Sequence, residues 1–102
     1  MSICFSLHSA LPTEQTRQKI AQALEKYGEI LSFFWISNVS DADEFNREDD
    51  SEFSFVPKSR FIIQWNKERS ELMKLIPVIF YEIFGSESIL VRDNNYEIIP
   101  PP

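Results

Sequence analysis

Ile3-Cys4-Phe5-Ser6-Leu7-His8, with Leu11-Pro12-Thr13-Glu14 close behind, is the stretch whose reading decides the fold. Ile3, Phe5 and Leu7 alternate with Cys4, Ser6 and His8, the period-two pattern of a strand with one buried face. Pro12 and a Thr13 N-cap then open an amphipathic run that puts Ile20, Ala23, Leu24 and Tyr27 on one side. A helix is predicted over residues 14–27, with Gly28 as its stop.

Working outward, residues 30–36 are β-branched and aromatic at both parities, which predicts a strand covered on both faces. Residues 53–56 predict a short strand ended by Pro57, and residues 60–65 a longer one with Phe61, Ile63 and Trp65 on one parity. Leu72, Leu75, Ile76, Ile79, Phe80 and Ile83 recur at helical spacing before Gly85. Pro77 inside that run removes a backbone donor, so a kink or a late start at Ser70 is expected. Residues 88–92 and 96–99 flank Asp93-Asn94-Asn95, which suits a tight hairpin turn.

The resulting order is β-α-β-(β)-β-α-β-β. Two helices crossing one side of a mostly antiparallel sheet is the economical arrangement, an α+β fold like the ferredoxin-like β-α-β-β-α-β with an extra C-terminal strand. If Phe33, Trp35, Phe61, Ile63 and Trp65 face the helices, Phe34, Ile36 and Ile62 fall on the opposite sheet face. That face then carries an apolar patch, open to a partner or covered by residues 53–56.

At 102 residues, 43% hydrophobic and 14% aromatic, the chain has the size of one domain, residues 1–102, with enough apolar side chains for a core. The start lacks a basic segment followed by a continuous apolar one, so export is not expected. The uncharged stretch at residues 30–40 is interrupted by serine and asparagine and is too short to span a bilayer. One cysteine makes no internal disulfide, and the cytoplasm is the expected location.

Chemistry is sparse. On a strand, Cys4 and His8 stand about 13 Å apart at roughly 3.3 Å per residue, far beyond thiol-imidazole contact. The expected roles are a half-buried thiol and a surface imidazole. One Cys and one His cannot complete a zinc site. Asp41, Asp43, Asp49 and Glu52 match positions 1, 3, 9 and 12 of a calcium loop, yet Phe45 and Asn46 occupy positions 5 and 6, where an oxygen ligand and a glycine belong. The two glycines form no phosphate cradle. No metal, cofactor or catalysis is implied, and the chain does not read as an enzyme.

Charge is the informative property. Residues 41–52 hold seven acids and one base, which is the entire excess of −6; the rest of the chain carries nine of each. A neutral body bearing an acidic connecting segment repels nucleic acid and attracts basic protein surfaces. Asp41, Asp43, Glu44, Glu48, Asp49, Asp50 and Glu52 are the candidate charges, with Phe45 an apolar anchor among them.

In size, acidity and α/β pattern the whole chain resembles small acidic bacterial immunity proteins, including those paired with contact-dependent growth-inhibition toxins. The resemblance implies a cytoplasmic inhibitor in a one-to-one complex with a basic toxin domain, of nuclease type, whose substrate-binding surface it blocks with carboxylates. The alternative is a small regulatory or ligand-sensing module, dimeric through its apolar sheet face. Membrane and direct nucleic-acid partners are not expected.

Overall fold

The computed structural model describes residues 3–102. The elements run β1 (Cys4–Ser9), α1 (Thr13–Leu31), β2 (Phe34–Ile36), β3 (Ser40–Asp41), α2 (Glu44–Ser51), β4 (Ser59–Trp65), a 3₁₀ turn (Ser70–Leu72), α3 (Leu75–Phe84), β5 (Ile89–Arg92) and β6 (Ile98–Ile99). Among the described residues, three helices thus pack on a six-stranded antiparallel sheet of order β2-β4-β1-β5-β6, and β3 also pairs with β4. The α+β class agrees with the sequence, with one helix more than expected and a short strand at Ser40–Asp41 in place of the one expected at residues 53–56.

Alternation in β1 decides the two sides of the sheet. Phe5 and Leu7 join Phe61 and Ile63 of β4 and Ile89 and Val91 of β5 beneath α1 and α3, whose Ile20, Ala23, Ile76, Ile79, Phe80 and Phe84 close the core. Phe61, Phe80 and Phe84 form an aromatic cluster with centroids 5.8–6.2 Å apart, each such contact contributing about 0.5–1.5 kcal/mol beyond burial. Ser6, His8 and Arg92 project to the other side, where α2 lies across part of the sheet.

Several expectations are corrected. Helix α1 does not stop at Gly28: Tyr27 leaves helical geometry (φ −124°, ψ 28°), but the helix resumes and consumes Ile30 and Leu31. The strand expected from residue 30 therefore shrinks to Phe34–Ile36, and its parity inverts. Phe34 pairs with Trp65 and Ile36 with Ile63, facing the core, while Trp35 pairs with Gln64 on the far side. Pro12, not Thr13, precedes the helix; the Thr13 hydroxyl instead donates to Asp41 Oδ1 at 2.6 Å, tying α1 to β3.

Residues 53–56 form no strand, and only Phe55 of them is buried. Pro77 causes no kink, because α3 starts late enough to hold it in the first turn, where its missing N–H has no helical acceptor. Gly85 does end α3, at φ 87°. In the β5–β6 hairpin the positive φ falls on Tyr96 (64°), not on an asparagine, while the Asp93 carboxylate accepts from the backbone of Asn95 and Glu97.

Candidate partner-binding face

The acidic segment is not an unstructured arm: residues 44–51 form α2. Asp43 is its N-cap, accepting from the Asn46 backbone at 2.9 Å, and Asn46 Oδ1 accepts from the Asp43 backbone at 3.0 Å. This reciprocal cap satisfies two donors that a helix start leaves open. Glu44 in the first turn adds a charge where the helix dipole favours it. An eight-residue helix is unstable alone. Tertiary anchoring comes from Asn46 and Asp50, one turn apart and both buried.

Asp50 is the main anchor. Wholly shielded from solvent, its Oδ2 lies 2.7 Å from His8 Nδ1 and its Oδ1 accepts from Arg92 Nη2 at 2.8 Å. Arg92 also donates through Nη1 to the Tyr96 carbonyl (2.8 Å) and stacks 4.3 Å from the Tyr96 ring. Among the described residues its Nε is buried without a hydrogen-bond partner. Tyr96 meets the His8 ring edge-on at 5.9 Å and donates to Asp49 Oδ2 at 2.9 Å. Burial, reinforced by the Asp49 hydrogen bond, pushes the Tyr96 phenol above its usual range. His8, expected at the surface, is thus an interior residue, whereas Cys4 is half-buried as anticipated.

The eight candidate residues divide by this geometry. Asp50 faces inward, so its charge is not displayed. Asp41 is engaged by Thr13, and Asp43 by the cap and, at 3.8 Å, by Arg60. Glu44, Glu48 and Glu52 recur every four residues on the exposed side, with Asp49 beside them. Phe45 stands out among these charges at 75% exposure. The arrangement is a charged helix face with one aromatic, suited to contacting a protein surface rather than to moving protons.

Two depressions flank α2. One, of about 560 Å³, runs toward the β5–β6 hairpin; Glu48, Asp49, Glu52 and Glu97 outnumber Arg92 in its lining, with Phe53 and Tyr96 beside them. The other, of about 520 Å³, lies on the sheet face between α2 and the β2–β3 connection, with His8, Trp35, Arg60, Ile62 and Tyr96 among its lining. Ile62 and Trp35 are both exposed there, so an apolar patch does exist on this face, built on a different β2 residue than the parity argument gave. Trp35, Arg60 and Tyr96 were missed. The Asp43-Glu44-Phe45-Asn46 capping pattern was the available signal that the segment is helical.

A family model described as CDI System Immunity Component matches residues 1–97. Among solved structures, a chain of the "CdiA-CT/CdiI toxin and immunity complex from Burkholderia pseudomallei" is similar, with TM-score 0.82 and 24% identity over 94% of this chain and 95% of that one. No curated protein sequence matches. Among the described residues, no helix is long and apolar enough to cross a membrane.

Proposed function

Since the chain belongs to the CDI system immunity component family, we propose that it neutralises a basic toxin domain of nuclease type in a one-to-one complex in the cytoplasm. In this reading the exposed face of α2 covers the toxin's substrate-binding surface. A member of this family is an inhibitor, not an enzyme. The observation that carries the finer reading is the exposed row Glu44, Glu48 and Glu52 beside Phe45, presented on a helix that the buried Asp50 fastens to the sheet.

Carboxylates so displayed offer Arg and Lys the charge pattern of phosphate oxygens. They also steer the encounter at low salt. Phe45 supplies an apolar anchor that ionic strength does not screen.

The test is association of the chain with the basic toxin domain proposed as its partner, at low and high salt. Glu44→Gln, Glu48→Gln and Glu52→Gln together remove three charges whose side chains make no hydrogen bond or ion pair among the described residues; association at low salt is expected to slow by about tenfold and the wild-type salt dependence to flatten. An unchanged rate at low salt removes α2 as the steering surface.

A further inference from the structure

The sheet-face cleft has a chemistry opposite to that of α2. In a chain with sixteen acids and ten bases, no carboxylate lines it; its charged lining is Arg60, with the His8 ring beside it. The carboxylates that face those groups come from α2 and its cap. Asp50 is held on His8 Nδ1, and Asp43 lies 3.8 Å from Arg60, too far for a hydrogen bond. Among the described residues the Arg60 guanidinium has this one long ion pair through Nη2 and no hydrogen bond, so most of its planar fork of donors is available to a second carboxylate.

Trp35, Ile62 and Tyr96 form apolar walls around that fork, at 58%, 43% and 39% exposure. Arg beside exposed aromatic residues in a concavity is the composition of an interface anchor point. Tyr96 is held at φ 64°, a conformation a bulky residue rarely adopts. It thereby forms the ridge between the acidic depression and this cleft, lining both.

We infer that the cleft receives an acidic side chain, aspartate or glutamate, from the toxin domain, its carboxylate paired with Arg60 between Trp35 and Ile62. The identity of the partner rests on the function proposed above; the preference for a carboxylate rests on the cleft alone. Once the partner covers these exposed walls, the exclusion of water strengthens the charge pairing relative to the open surface. The bidentate fork fixes its geometry.

Arg60→Gln separates the two ideas, because they predict opposite signs. If only negative charge mattered, removing a cation from the immunity protein would leave binding to a basic toxin equal or tighter. The cleft pairing instead predicts dissociation at least about tenfold faster, a smaller but clear loss for Arg60→Lys, which keeps the charge and lacks the planar fork, and a loss similar to that of Arg60→Gln for Trp35→Ala with the helix-face charges intact. Equal or slower dissociation of Arg60→Gln overturns the inference.

The free protein provides a partner-independent measurement. Phenylacetate should shift the Trp35 indole N–H and Ile62 methyl resonances of the wild type and not of Arg60→Gln, whereas the neutral phenylacetamide should not. Equal shifts with both probes, or none with either up to tens of millimolar, overturn the carboxylate preference. If the toxin domain fails to bind while phenylacetate does, the proposed partner fails and the cleft's chemistry stands.

Discussion

His8 Nδ1 lies 2.7 Å from Asp50 Oδ2, a contact that closes 42 residues of chain and brings the acidic helix onto the sheet. Arg92 completes the arrangement from β5 at 2.8 Å. Three groups that would each be costly to bury alone are tolerated because they are buried together.

Asp50→Ala therefore strands a guanidinium and an imidazole in the interior. The expected loss of stability is about 3–5 kcal/mol, measured by urea unfolding. Hydrogen exchange should show α2 losing protection before α1 or α3, because its two buried residues, Asn46 and Asp50, are both polar.

Phe45→Ala should separate binding from folding. At 75% exposure the ring supports little of the core, so stability should stay within about 0.5 kcal/mol of wild type. Affinity for the toxin domain should fall about tenfold or more, as for an interface anchor. Calorimetry of the variant alone and in the complex reads both.

The two glycines should respond in opposite directions to alanine. Gly28 lies within α1 with nothing within 4 Å of where a Cβ would sit, so Gly28→Ala should raise stability by about 0.4–1 kcal/mol. Gly85 ends α3 at φ 87° and ψ 140°, a region nearly confined to glycine, and Gly85→Ala should cost about 1–3 kcal/mol. Thermal melts of the pair check the contrast.

Tyr81 predicts an alkaline dependence. Its hydroxyl donates to the Ile99 carbonyl at 2.6 Å and accepts from the Val91 N–H at 3.2 Å, joining α3 to β5 and β6. Burial holds its phenol above the usual value of 10.0 despite the Val91 hydrogen bond, which acts the other way. Between that value and the folded one, the unfolded chain has lost the proton while the native state keeps it, so stability falls as pH rises above about 10. Tyr81→Phe should cost about 1 kcal/mol near neutrality and show a shallower decline above pH 10 in denaturant titrations.

Elements whose apolar residues carry their own period were legible in the sequence. β1, β4 and α3 lie where Phe5 and Leu7, Phe61 and Ile63, and Ile76, Ile79 and Phe80 place them. Helix α2 escaped because its inward positions are Asn46 and Asp50, which carry no hydrophobic signal. Its order comes from a cap and a buried charge network, and that network depends on residues distant in sequence. The parity of β2 failed for a related reason: with Ile30 to Ile36 apolar on both parities, only the true end of α1, past Tyr27, decides which side faces the core. For the candidate site, the charges and Phe45 could be read directly. The inward turn of Asp50, and the gathering of Trp35, Arg60 and Tyr96 around one cleft, are products of tertiary packing.

The outermost strands have a bearing on how other chains are received. One border of the sheet is divided into β2, three residues, and β3, two residues, with residues 37–39 between them; the other is the two-residue β6, followed by Pro100, Pro101 and Pro102. Neither border offers the long row of open amide and carbonyl groups that templates an added strand. Main-chain pairing reads little of a partner's sequence, and this protein is shaped against it at both ends. Under the function proposed above, selectivity then falls on side chains, and a few substitutions on α2 or around Arg60 are expected to redirect the protein to a different toxin while the sheet beneath stays as it is.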